Sequence, residues 1–114
     1  MHEAAITQAL LEQVEQAMPR VGRLVRCTIS IGRLEHLDAS VMRLMWQASV
    51  MGTRLEGAEL NVVHTPVRVR CGACGHVYEP EDQAIMLCPA CGRVLPQVVE
   101  GSGVVLRSLE VEGA

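Results

Sequence analysis

The pattern that most restricts this chain is Cys71-Gly-Ala-Cys74 followed, thirteen residues later, by Cys88-Pro-Ala-Cys91, with Gly75 and Gly92 closing the two pairs. A two-residue gap lets both sulfurs of one tight turn face a common point. Glycine after each pair lets backbone N–H groups approach the sulfurs where a Cβ would intrude. Two such turns facing each other supply four thiolates in a tetrahedron, the geometry that structural zinc sites fill completely. Iron accepts the same set. With sulfur in every position, no open site is left for a substrate or water, so the expected role is structural. The competing readings are two disulfides, or four unrelated buried thiols. No basic-then-apolar secretion signal opens the chain, so a cytoplasmic location is expected, where thiols stay reduced. A segment this short lies below the roughly 40 residues that fold on core burial alone, so metal binding has to supply its folding free energy.

The residues around this module read differently. The chain has 114 residues, about one small domain's worth, and 49% of them are hydrophobic. Ile6, Leu10, Val14 and Ala17 recur at helical spacing over 4–18, and Pro19 ends that helix. Val21, Val25, Cys27, Ile29 and Ile31 share one parity, with Arg26, Thr28 and Ser30 on the other, which reads as a half-buried strand closed by Gly32. Asp38 is placed to cap a second helix running to about Met51, with Val41, Leu44, Met45 and Ala48 inward and Gly52 as its stop. Residues 58–70 read as a second strand interrupted at Pro66, and 104–111 as a third. The expected fold is α/β: a two-layer domain of two helices on a three-stranded sheet, with an inserted zinc-ribbon-like four-cysteine module. The expected division is a discontinuous domain of residues 1–70 and 96–114 around a metal-binding domain of residues 71–95.

Composition removes several function classes. Ten basic against 13 acidic side chains leave a net charge of -3, and only Arg68, Arg70 and Arg93 lie near the module, which argues against nucleic acid as a partner. No apolar run approaches the roughly 20 residues of a membrane span. No Ser/His/Asp set or paired carboxylates mark a hydrolase, so the chain is not expected to be an enzyme. Cys27, by its parity, reads as a small buried hydrophobe. His36 and His64 have no partner that sequence identifies, and His76, just outside the first cysteine turn, reads as a solvated residue or a neighbour of the ligands rather than a ligand itself.

The chain opens Met1-His2-Glu3, directly before the first helix. A terminal amine, the backbone nitrogens of residues 2 and 3, and a His2 ring nitrogen can close consecutive chelate rings around one ion. Four nitrogens in a plane suit Ni(II) or Cu(II) and suit Zn(II) poorly. Glu3 adds a carboxylate nearby. The plainer readings are a frayed early histidine and an acidic residue placed at a helix N-terminus.

Taken together, these stretches resemble the HypA/HybF family of hydrogenase nickel-incorporation proteins over essentially the whole chain. The resemblance rests on Met1-His2-Glu3, Ile31-Gly32-Arg33-Leu34, Gly52-Thr53, Glu56-Gly57-Ala58-Glu59-Leu60, the two cysteine turns, and Ser108-Leu109-Glu110-Val111. It implies a nickel metallochaperone for [NiFe]-hydrogenase maturation, in some organisms also serving urease. Nickel would be held at Met1, His2 and Glu3, and zinc by Cys71, Cys74, Cys88 and Cys91. The implied partners are the maturation GTPase HypB and the hydrogenase large-subunit precursor, with the chain a monomer or weak homodimer. Two departures stand out. The second helix has Leu44, Met45 and Trp46 where many relatives carry Phe, and Gly92-Arg93-Val94-Leu95 holds no histidine after the second cysteine turn. A rubredoxin-like Fe(Cys)4 electron carrier and a zinc-ribbon protein-interaction module are the alternatives. The first normally packs a dense aromatic core against its iron, and here only Tyr78 is local.

Overall fold

The computed structural model describes residues 2–113. Helix α1 spans Glu3–Ala17 and α2 spans Ala39–Val50. The strands are β1 (Arg23–Gly32), β2 (Glu59–Thr65), β3 (Arg68–Cys71), β4 (Val77–Tyr78), β5 (Pro96–Glu100) and β6 (Val104–Glu112). They form two three-stranded sheets, ordered β2-β1-β6 and β4-β3-β5. Among the described residues no helix is long and apolar enough to cross a membrane.

The chain divides into two compact units. The first comprises Met1–Ser30, Leu37–Val63 and Val105–Ala114, the second Ile31–His36 and His64–Val104. Residues 71–95 lie inside the second, which is wider because β3 begins at Arg68 and pairs along its length with β5 out to Glu100. Leu34 also packs against the core of that unit.

In the first unit, side chains report how β1 meets its neighbours. Arg26 reaches Glu59 and Asn61 reaches Thr28 at the same sequence separation of 33, which is parallel pairing with β2. Helix α2 is therefore the crossover of a βαβ unit. Toward β6 the separation falls from 84 at Arg26–Glu110 to 77 at Ser30–Arg107, which is antiparallel. Arg26 thus stands between two carboxylates, 3.0 Å from Glu59 and 3.4 Å from Glu110.

The helices begin and end where their sequence says, but of the three faces read from periodicity that of α2 is turned and those of α1 and β1 hold only in part. Met18 takes an extended ψ of 144° ahead of Pro19, which stops α1. Asp38 caps α2, its carboxylate accepting the N–H groups of Ser40 at 2.9 Å and Val41 at 3.4 Å, and Gly52 follows in a left-handed conformation. In α1 the buried stripe is Glu3, Thr7, Leu10 and Val14, while Ala17 is exposed. In α2 it is Met42, Trp46 and Val50, whereas Leu44 is 67% exposed. The indole decides this orientation: Trp46 is fully buried and its Nε1–H donates to the Ala58 carbonyl at 2.9 Å. Strand β1 also shifts phase, with Leu24 buried and Val21 and Val25 exposed before the expected Cys27, Ile29 and Ile31 take over the core.

The Trp46 bond yields a prediction. Trp46→Phe keeps an aromatic ring but leaves the Ala58 carbonyl without its donor, at a cost of about 1–3 kcal/mol. Urea unfolding followed by circular dichroism should show a lower midpoint with an unchanged slope.

Residues 58–70 are not one interrupted strand. Pro66 has no N–H to give a ladder, and the chain leaves the first sheet at Thr65 and enters the second at Arg68.

Candidate metal centre

The second unit has a small core of Val67, Val69, Cys71, Tyr78 and Cys88. Strand β3 delivers Cys71 at its end, where the chain turns back into β4 with Arg70 opposite Val77. Within that turn the Cys71 N–H donates to the His76 carbonyl at 2.8 Å, and the Gly75 N–H donates to the Cys71 carbonyl at 2.9 Å. The second turn repeats the arrangement, Cys88 N–H to the Arg93 carbonyl at 3.0 Å and Gly92 N–H to the Cys88 carbonyl at 2.9 Å. The glycines are needed for a reason other than the expected one. A Cβ on Gly75 or Gly92 would meet nothing within 4 Å, but their φ values of +78° and +74° belong to the left-handed region.

These turns bring Cys71, Cys74, Cys88 and Cys91 together, with all four sulfurs within 4.8 Å of one another. Cys71 Sγ lies 3.6 Å from Cys91 Sγ, and Cys74 Sγ lies 3.7 Å from Cys88 Sγ. A tetrahedral ion with metal–sulfur bonds near 2.3 Å needs sulfurs about 3.8 Å apart, so the set fits one such ion. All five cysteines are free, which removes the disulfide reading. Cys71 and Cys88 are buried while Cys74 and Cys91 are exposed, so the centre has a protein side and a solvent side.

The thiols are electrostatically unlike. The backbone N–H groups of Cys74 and Ala73 hold the Cys71 thiol down to about 7. At Cys74 the His76 N–H works in the same direction, but burial and the hydrogen bonds with Cys88, Cys91 and Cys71 push it up to about 11. The thiolate is the ligating form, so any cation held by these four sulfurs competes with protons, and its affinity falls as pH drops.

The other candidates lie apart from this cluster. Burial pushes the Cys27 thiol up to about 11, which makes it an inert core residue. His76 stacks on Tyr78 with ring centroids 6.0 Å apart and joins no ligand group. His36 and His64 are exposed.

At the other candidate site, Met1 lies outside the described residues. His2 is exposed and caps α1, its carbonyl accepting the Ile6 N–H at 3.1 Å. Glu3 is buried at 6% exposure, and its carboxylate accepts the Asp38 N–H at 2.9 Å. Asp38 is a neighbour that sequence reasoning missed, because the two residues stand 35 positions apart and no motif joins them.

The family model described as "Hydrogenase/urease nickel incorporation, metallochaperone, hypA" matches residues 1–111. The chain belongs to the HypA family. Hydrogenase maturation factor HypA of Nitrosospira multiformis is 36% identical over 97% of each chain. That of Roseiflexus sp. is 32% identical over 98% of this chain and 93% of its own. The solution structure of the Ni metallochaperone HypA from Helicobacter pylori shares the fold, with a TM-score of 0.71 at 22% identity over 97% of each chain. Membership of the HypA family makes this a maturation factor for hydrogenase or urease nickel incorporation. It also accounts for the α/β part of the chain, which a rubredoxin-like reading leaves unexplained.

Proposed function

We propose that this chain carries Ni(II) as cargo on Met1, His2 and Glu3 and keeps Zn(II) on Cys71, Cys74, Cys88 and Cys91. It passes the nickel by ligand exchange, together with the maturation GTPase HypB, to a [NiFe]-hydrogenase large-subunit precursor, with urease as a second client. It acts in the cytoplasm as a monomer or weak homodimer and catalyses no reaction itself. The nickel stretch belongs to the first of the two units and the zinc centre, within residues 71–95, to the second.

The observation that carries the nickel reading is His2 exposed at the head of α1. As the cap residue, His2 has its own backbone nitrogen outside the helical ladder. A helix N-terminus is the positive end of a dipole and by itself repels a cation. The Glu3 carboxylate in the first turn offsets this, as do amide nitrogens that ionise on binding. For the sulfur centre, the closed four-thiolate set favours a resident structural ion over exchangeable cargo. Sulfur spacing fits zinc, and zinc also suits a site with no redox duty.

The test uses untagged, zinc-loaded protein with its native start, titrated with Ni(II) by calorimetry. His2→Ala, and separately one Gly added before Met1, should abolish nickel binding and leave zinc content unchanged. Undiminished nickel affinity in both variants refutes the site. Nickel affinity in the unaltered protein should also fall as pH drops, because the bound form requires deprotonated donors.

A further inference from the structure

Between Tyr78 and Pro89 the second unit carries a pocket of about 350 Å3 that metal handling leaves unused. Its wall is apolar: Pro80, Ile85, Leu87 and Pro89 line it, and Ile85 and Leu87 are 54% and 53% exposed. Its rim is acidic, with Glu79 and Glu81 on it and no basic side chain among the lining residues. Among the described residues neither glutamate belongs to an ion pair.

The segment is fixed before anything binds. Asp82 accepts the Ala84 N–H on its side chain at 2.8 Å and the Met86 N–H on its carbonyl at 2.9 Å. Tyr78 donates its hydroxyl to the Met86 carbonyl. Met86 adopts a left-handed φ of 56° and packs against the core of the unit, so it anchors the turn while Ile85 and Leu87 stay outside. A preformed surface loses little conformational freedom on binding, and two large exposed aliphatic side chains gain from being covered.

The geometry points to a docking site for an extended peptide segment of a partner protein, one that carries a Leu- or Phe-like anchor flanked by Lys or Arg. The volume suits one large side chain with its immediate neighbours. Unpaired carboxylates beside an apolar wall complement a cation next to an apolar anchor, and they reject an acidic flank. A second copy of this chain is the competing occupant, because Val21 is 66% exposed between Arg20 and Arg23. That loop is already committed: Arg23 donates to the Glu56 carbonyl at 3.2 Å, and Arg54 grips the carbonyls of Pro19 and Arg20. The larger hollow along Gln8, Glu12 and Glu15 of α1 lacks such a wall, and Arg54 pairs with Glu15 there. This inference is independent of the nickel site, since the rim and wall hold no proposed ligand.

The probe is a fluorescein-labelled peptide Lys-Arg-Leu-Phe-Lys-Arg, with Glu-Asp-Leu-Phe-Glu-Asp as its counterpart, titrated against the full zinc-loaded chain by anisotropy. The basic peptide should bind at least about tenfold tighter than the acidic one and weaken as salt rises. Glu79→Lys with Glu81→Lys should lose about tenfold in affinity, and Ile85→Ser should weaken binding with zinc content unchanged. Backbone amide shifts on peptide addition should cluster over residues 78–89. Any of three results overturns the proposal: no saturable binding below about 1 mM, binding indifferent to the charge reversal, or shifts centred elsewhere. Self-association without peptide that Ile85→Ser removes would make a second copy the occupant and equally overturn it.

Discussion

Cys88→Ala is expected to leave the first unit folded and the second unfolded. Cys88 is 1% exposed and is at once a proposed ligand and one of the few core residues of its unit. Besides the cysteines, that core has only Val67, Val69 and Tyr78, each worth about 1.5–3 kcal/mol when fully buried. Structural zinc contributes an apparent ~10–16 kcal/mol in small zinc domains, so the metal outweighs any single packing term. Without the cation, four sulfurs within 4.8 Å also face one another with nothing to hold them. The single tryptophan, Trp46, lies in the first unit and serves as its reporter. Trp46 emission and the helical circular dichroism should stay near wild type, zinc content should fall to background, and amide dispersion should collapse across residues 64–104. A strong chelator should reproduce this in the unaltered chain. Loss of the helical signal together with zinc would show that the two units do not fold separately.

What was legible in the sequence followed from local chemistry. The helix ends were marked by Asp38, Gly52 and Pro19, each of which acts on the backbone within a few residues. The four thiols were legible because each pair is set by one tight turn, and only the meeting of the two turns is long-range. The inward face of α2 was not legible. Val41, Met42, Leu44, Met45 and Trp46 are apolar nearly all round the helix, so periodicity offers two stripes, and the choice depends on an acceptor twelve residues away at Ala58. The short strands β4 and β5 carried no signal either. β4 is two residues long, and every residue of β5 is exposed, so neither shows a buried alternation.

At the N-terminal stretch proposed for nickel, composition and order expose the donor types but not their surroundings. The sequence offers Glu3 as a nearby carboxylate, and its position there cannot reveal that it is buried against the Asp38 backbone. The contact ties the first turn of α1 to the start of α2, so the stretch proposed to take nickel is anchored to the fold one residue beyond His2.

Gly32→Ala is expected to be among the most damaging substitutions that remove no atom. Gly32 has an ordinary φ of -67°, so its requirement for glycine is purely spatial. A Cβ there would lie 2.1 Å from both the carbonyl carbon and the oxygen of Gly101, and 2.5 Å from the Ser102 nitrogen. All three are backbone atoms, which no rotamer change can move. Gly101 cannot retreat, because its other side is closed in turn: a Cβ on it would lie 2.6 Å from Val67 Cα and 2.7 Å from the Pro66 oxygen. Three stretches of backbone are stacked at contact, and the Gly32 N–H to Gly103 carbonyl bond at 2.9 Å and the Leu34 N–H to Gly101 carbonyl bond at 3.0 Å hold the first two in register. A methyl group at this point breaks both bonds or unpacks Pro66 and Val67, at a cost of about 3 kcal/mol or more, the upper end of overpacking in well-packed interiors. Gly52→Ala is the control. Its φ of +76° strains an alanine but a Cβ there meets nothing within 4 Å, so only the left-handed penalty of about 1–2 kcal/mol applies. Urea unfolding of the two variants, read by circular dichroism and by amide signals of residues 31–36 and 101–104, separates the two costs. Equal destabilisation by both would mean that the backbone at Gly32 relaxes freely, and the three-layer contact would then not constrain the fold.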